Sequence, residues 1–275
     1  MIIDFHTHVF PDKIAKRTIE HLSEKGGIPP FSDGSAGGLI CDMEKNGIDI
    51  SVTLPVLTSP AQFESVNRYA IELNLLYRDK KRRLISFAGI HPDCEDIEKK
   101  MKWIKESGFI GVKLHPDYQG HFINDAGYIK IVECAAELDL VVVTHSGVDF
   151  GFPGEPVRST PRLARELIKR VPHSKLVFAH MGANEMYDEV CEELAGENVY
   201  FDTAYVMRNI SREKFTKILG KHGEDKILFA SDSPWSDAGV DVDILRSYLD
   251  SEKTLEKIFY KNAVRLLGIG DFYGI

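Results

Sequence analysis

A chain of 275 residues with 43% hydrophobic content can bury a large core, and its formal net charge of −8 argues against a nucleic-acid partner, which favours a basic face. No stretch approaches the length of a membrane span, and the start at Ile2-Ile3-Asp4 lacks the basic region of a signal peptide. Cys41, Cys94, Cys134 and Cys191 are far apart and form no CxxC, so reduced thiols, a cytoplasmic location and no thiolate metal site are expected.

The first predicted strand is "IIDFHTH" (2–8). Extended backbone puts residues i and i+2 on one face, so Asp4, His6 and His8 are expected on one side and Phe5 and Thr7 on the other. Two neutral imidazoles on one face can bind one metal ion. A pair of surface or hydrogen-bonded core histidines is the plainer alternative. A long Gly- and Pro-rich link, near 9–49, follows and is expected to be a loop over a site, with a plain surface loop as the alternative.

Further β-rich runs follow at "ISVTLPV" (50–56), "LISFAGI" (84–90), "FIGVKLH" (109–115), "LVVVTHS" (140–146), "KLVFAHM" (175–181), "VYFDTAY" (199–205) and "KILFASD" (226–232). Their apolar character is nearly continuous, which suits strands covered on both faces. Helical patterns lie between them. "AQFESVNRYAIELNLLYRDK" places Phe63, Val66, Tyr69, Ala70, Leu73, Leu76 and Tyr77 at helical spacing. "STPRLARELIKRV" opens with a Ser/Thr cap and an early Pro, and carries Leu163, Leu167, Ile168 and Val171 on one side. "LEKIFYKNAVRLLG" stops at Gly268. Eight strands alternating with helices predict an α/β chain folded as a single-domain (β/α)8 TIM barrel over 1–275. A second Gly- and Pro-rich loop, 146–160, leaves the fifth strand where barrel active sites form.

Polar residues collect at the strand ends. His6 and His8 end the first strand, Lys113 and His115 the fourth, His145 the fifth and His180 the sixth. Asp202 lies in the seventh, and Asp232 ends the eighth. In a barrel these tips meet at one mouth. Several histidines and a carboxylate there suit Zn, Mn, Fe or a similar ion. A carboxylate beside an acidified water can take its proton and pass it to a leaving group, and Asp232 fits that relay. His180 is placed to polarise a carbonyl or orient the nucleophile. No nucleophile elbow surrounds any serine.

With those residues in this order, "DFHTH", "VTHSG", "AHMG" and "FASDSPW" resemble the signatures of the amidohydrolase superfamily. "NAVRLLG" (262–268) resembles the closing helix of its amidohydrolase-related branch, which includes aminocarboxymuconate semialdehyde decarboxylase. Metal-dependent deoxyribonucleases are similar in outline, but their fourth strand offers a glutamate where this chain has "GVKLHP". The resemblance implies that His6, His8, His145 and Asp232 hold a metal. It implies that His180 holds a second metal or contacts the nucleophilic water or substrate carbonyl, with Asp232 and His180 as the catalytic pair. One divalent ion per chain is expected rather than two, with zinc ahead of manganese, iron or cobalt.

Lys113 has three readings: a carboxylated bridge between two metals, an ammonium for a substrate carboxylate, or a structural partner of an acid such as Asp202. His115 shares its face, and His115 and the similar His91 also read as plain strand ends before Pro. Arg158 is a candidate clamp for an anionic substrate, Trp235 a candidate pocket wall, and Tyr118, Gln119 and Tyr205 fall near the mouth. The expected function is metal-dependent hydrolysis of an amide, lactone or ester in a small, carboxylated molecule. The alternatives are metal-dependent non-oxidative decarboxylation and a catalytically inactive ligand-binding barrel. The expected partner is a small-molecule substrate, with no nucleic acid or membrane, and an exposed helix face leaves a homodimer open.

Overall fold

The Val- and Ile-rich runs become strands covered on both sides. Every residue of β2 (Ile50–Thr53), β5 (Gly111–Leu114) and β6 (Val141–Thr144) is buried. The computed structural model describes residues 1–172 and 174–270. Its other strands are β1 (Ile3–Thr7), β3 (Arg83–Ser86), β4 (Ala88–Gly89), β7 (Lys175–Phe178), β8 (Tyr200–Asp202) and β9 (Ile227–Leu228). Pairing is parallel throughout, in the order β1-β2-β3 and then β4 to β9. Phe87 alone separates β3 from β4, and its N–H donates to Thr53 O at 3.0 Å, so these are two halves of one barrel strand. The N–H of Phe5 donates to Phe229 O, and that of Asp232 to His6 O, both at 2.9 Å. These bonds join β9 to β1 and close the ring. The predicted (β/α)8 barrel is the fold, with a strand at each of the expected runs.

Two apolar layers hold the barrel. Ile3, Phe5, Val52, Phe87, Val143 and Val177 belong to an inner cluster. Leu84, Val112, Leu114, Val142 and Leu176 join helix residues such as Leu73, Met101, Ile131 and Leu167 in an outer one. Each fully buried side chain of this size contributes roughly 1.5–3 kcal/mol. Gly111 is required by the inner layer: a Cβ there would collide with the Phe87 ring and lie 2.6 Å from Val141 O.

The first strand departs from the simple alternation. Ile3 and Asp4 pair with Ile50 and Ser51, but Thr7 pairs with Thr53, so β1 carries one extra residue. That bulge shifts the side-chain phase. His6 and His8 face the barrel mouth, whereas Asp4 lines a small pocket with Leu39 and Met43 of the helix Ala36–Asn46 and accepts from Ser231 Oγ at 2.5 Å. The expected shared face of Asp4, His6 and His8 is thereby corrected.

Segment 9–49, expected as a loop, carries the helices Asp12–Gly26 and Ala36–Asn46. Their apolar residues are spaced among many charges, which hides the period in the sequence. Gly27 (φ 66°) and Gly47 (φ 69°) terminate them in the left-handed region. The helix Phe63–Tyr77 buries Phe63, Ala70 and Leu73 as expected, but Leu76 is exposed, and Asn67 is buried instead. Asn67 accepts from Gly89 N at 2.8 Å and donates to Gly89 O at 3.0 Å, tying the helix to β4. Thr160 caps the helix Pro161–Arg170, and Gly268 (φ 66°) ends the helix Asn262–Leu267. No helix among the described residues is long and apolar enough to cross a membrane.

Candidate active site

The mouth of the barrel opens into a cavity of about 550 Å³. Its floor carries His6, His8, Lys113, His145, His180 and Asp232. His180 (φ 62°) and Asp232 (φ 69°) sit in the left-handed region. Such backbone costs on the order of 1–3 kcal/mol per residue and persists where surrounding bonds over-determine it. Here the N–H of His180 donates to Asp202 Oδ1 at 2.9 Å, and the N–H of Asp232 to His6 O.

The outer nitrogens of three imidazoles fix their tautomers. His8 Nδ1 lies 2.8 Å from Leu54 O, and His180 Nδ1 lies 2.9 Å from Ala204 O. A carbonyl only accepts, so each Nδ1 carries the proton. His6 Nδ1 is 2.8 Å from Asp202 Oδ2, with the same consequence. Each ring therefore turns Nε2 inward, where its neutral form presents a lone pair. Burial holds the His6 pKa well below the ordinary value, with Lys113 adding to the effect, so His6 is neutral.

His6 Nε2 and His8 Nε2 are 3.2 Å apart, and Asp232 Oδ1 is 3.5 Å from the first and 3.2 Å from the second. Lys113 Nζ meets His6 Nε2 at 2.9 Å, and a cation that also reached His8 Nε2 and Asp232 Oδ1 would join the whole cluster. Outer N–H groups spent on a carboxylate and a carbonyl are the usual support of metal-binding histidines. The donor set thus fits a divalent ion of the kind that takes nitrogen and oxygen ligands.

Lys113 is 1% exposed, and its Nζ lies 2.9 Å from His6 Nε2. Burial lowers its pKa to about 8, against the pull of Asp232 and Asp202. Asp202 spends its oxygens on His6 Nδ1 and on the N–H groups of His180 and Ala204. The hydrogen bond of Lys113 is therefore to imidazole.

His145 stands one ring away from the His6–His8–Asp232 cluster. Its Nδ1 is 2.9 Å from His180 Nε2, and its ring stacks on His115 with centroids 4.3 Å apart. Because His180 Nε2 is bare, His145 Nδ1 donates to it, which leaves His145 Nε2 as a buried lone pair with no partner. Ligand atoms of His115, His145 and Asp149 lie within 4.8 Å of one another. His115 Nε2 is 3.3 Å from Asp149 Oδ2, while its Nδ1 accepts the Tyr118 N–H, so Nε2 carries the proton shared with Asp149. Burial pushes the Asp117 carboxyl up to about 6, with Asp149 adding to it, and Asp117 Oδ2 lies 3.9 Å from His145 Nε2.

Trp235, Tyr118 and Tyr205 line the cavity. Arg158 does not: its guanidinium holds Glu155 at 2.7 Å and Asp117 at 3.5 Å. Gln119 is structural, donating to Leu57 O and Ile90 O at 3.0 and 2.7 Å. His91 accepts the Asp93 N–H at 3.1 Å, away from the cavity. One residue of the floor's surroundings, and the role of another, escaped the sequence reading. Asp149 is signalled only by its place in the loop after His145, and the part Asp202 plays in holding His6 has no local signature.

Comparison with known proteins follows the same outline. No curated protein matches the sequence significantly. Among solved structures, a probable 2-pyrone-4,6-dicarboxylic acid hydrolase from Acinetobacter baumannii with citric acid bound is similar at 16% identity and a TM-score of 0.68, covering 98% of this chain and 99% of that one. A 5-carboxyvanillate decarboxylase from Sphingomonas paucimobilis is similar at 15% identity and a TM-score of 0.69, covering 98% and 99%. A dihydroxybenzoic acid decarboxylase from Polaromonas, with bound manganese and the inhibitor 2-nitroresorcinol, is similar at 16% identity and a TM-score of 0.70, covering 98% and 97%. At these identities the likeness is one of fold. Residues 3–269 match the amidohydrolase family as a whole, from the first strand past the last helix. The chain belongs to the amidohydrolase family.

Proposed function

We propose that the protein is a metal-dependent hydrolase that cleaves an amide, lactone or ester bond in a small molecule. The observation that carries this reading is the convergence of His6 Nε2, His8 Nε2 and Asp232 Oδ1 at the cavity floor. His6, His8 and Asp232 would hold the ion, with His145 and His180 adjoining, and zinc is the first candidate. A divalent ion there supplies Lewis acidity that brings the pKa of water near neutrality. Asp232 accepts the proton of the attacking water and returns it to the leaving group, since its carboxylate is the base at that point of the floor. His180 polarises no carbonyl: its Nδ1–H is committed to Ala204 O and its Nε2 accepts from His145 Nδ1, so the ring positions His145 beside the floor and offers no N–H to a substrate. Asp202 holds His6 in the tautomer that keeps Nε2 bare.

A second reading, non-oxidative decarboxylation, is favoured by Lys113. It places an ammonium on the floor, where a substrate carboxylate would sit. Two of the solved structures of like fold are decarboxylases. The test is metal content by plasma mass spectrometry on protein purified without chelators, followed by assay against lactones, esters, amides and aromatic acids. Bound metal with hydrolysis and no released CO2 supports the first reading. Metal-dependent CO2 release replaces it with the second. No metal after soaking in zinc and manganese overturns both and favours a ligand-binding barrel.

A further inference from the structure

The cavity is chemically divided. Its floor holds the histidines, Lys113 and Asp232, while its walls are mostly hydrocarbon and aromatic, with neutral polar groups at Thr18, Thr58, Gln62, Ser65 and Asn184. Ile14 and Leu22 come from the helix Asp12–Gly26, Val66 from the helix Phe63–Tyr77, and Val148 and Phe150 from the loop after β6. Trp235 adds a wall after β9. Among the described lining residues, Lys113 is the one lysine or arginine, against two carboxylates, Asp149 and Asp232. Two nearby cations lie outside the lining and already have partners. Arg158 is held by Glu155 and Asp117, and Lys25 sits 3.5 Å over the Phe152 ring and 4.6 Å over that of Tyr118.

A second carboxylate against such walls loses hydration and meets no lining lysine or arginine, and neutral donors repay only part of that cost. Burial of methylene or aryl groups there is favourable. The charge of the lining therefore permits one anionic group at the floor and opposes a second in the walls.

We infer that the substrate carries an apolar body, alkyl or aryl, seated against the helix Asp12–Gly26 and Trp235, with at most one carboxylate, directed to the floor. Dicarboxylates and tricarboxylates are disfavoured by the charge of the lining, one lysine against two carboxylates. This rests on the proposed catalytic floor, but it names the substrate class on separate grounds, the charge and hydrocarbon character of the walls.

Isothermal titration calorimetry on the metal-loaded protein tests it with butanoate, hexanoate and hexanedioate. Hexanoate is expected to bind roughly tenfold more tightly than butanoate, from two further buried methylenes. Hexanedioate, identical in length but with a second carboxylate, is expected at least about tenfold weaker than hexanoate, given the cost of an unpaired charge. Equal or tighter binding of hexanedioate, or no heat from hexanoate, overturns the inference and leaves the metal reading intact. The expected preference in a protein that retains no metal supports the inference and strikes the proposed function instead.

Discussion

At the residue scale, Asp202 is the hinge of the site. One oxygen accepts from His6 Nδ1, and the other accepts the N–H groups of His180 and Ala204. Asn at this position has one acceptor and one donor. With its carbonyl kept on the two backbone N–H groups, its NH2 faces His6 Nδ1 and drives the proton of that ring to Nε2. Asp202→Asn is therefore expected to fold normally and to hold metal about 10- to 100-fold more weakly, the usual loss when an outer partner is removed. Titration against a chromogenic chelator reads this directly. Unchanged metal affinity would show that His6 does not need its proton fixed. The role of Asp202 was not legible in the sequence. The two residues lie 196 positions apart, and only the register of β8 against β7 and the closure of the ring bring them together. The histidines themselves were legible, because each ends a continuous apolar run.

At the element scale, strands covered on both faces announced themselves as nearly continuous apolar runs, and all eight were readable. The bulge in β1 was not, because one extra residue against Ile50–Thr53 leaves no mark in composition. Close packing between strands makes Gly111→Ala a sharp test of the inner layer. The added methyl has no room beside Phe87 and Val141 O. Overpacking of this kind is expected to cost about 1–3 kcal/mol in urea unfolding. A neutral result would mean that Phe87 can turn aside. The helix Arg212–His222 supplies a second test. His222 donates from Nε2 to Val199 O at 3.0 Å, accepts the Gly196 N–H at 3.2 Å and stacks on Phe201 with centroids 3.9 Å apart. Burial lowers its pKa from 6.5 to about 4, with Lys226 adding to the effect. The folded state thus resists protonation that the unfolded chain accepts. Its stabilisation is complete above about pH 6.5 and is lost as the pH falls toward 4. Between pH 7 and pH 4 the wild type is expected to lose roughly 2–3 kcal/mol more than His222→Gln. Parallel stability–pH curves for the two proteins would assign the acid sensitivity to other groups.

At the scale of the whole molecule, the candidate metal ligands come from the two ends of the ring. His6 and His8 leave β1, and Asp232 follows β9, more than 220 residues later, where backbone bonds from Phe5 to Phe229 and from Asp232 to His6 close the barrel. The order of the motifs made the barrel and its mouth legible. Which histidine meets which was not, because strand tilt and stagger, rather than sequence spacing, decide that His145 lies against His180 and His115. An ion gripped by His6, His8 and Asp232 would staple this seam, so its binding is coupled to folding. At a free concentration a hundred times its dissociation constant, it adds about 2.7 kcal/mol to the folded state. For a domain of this size, that corresponds to a rise in Tm of roughly 5–10 °C. Chelator treatment is expected to lower Tm by that amount and zinc or manganese to restore it. His8→Ala should abolish the response while leaving the chelated Tm nearly unchanged, because His8 is partly exposed and its Nδ1 bond to Leu54 O is small against the core. A Tm that ignores both chelator and metal would separate the seam from any ion, and the convergence of the three side chains would then have to be explained by hydrogen bonding alone.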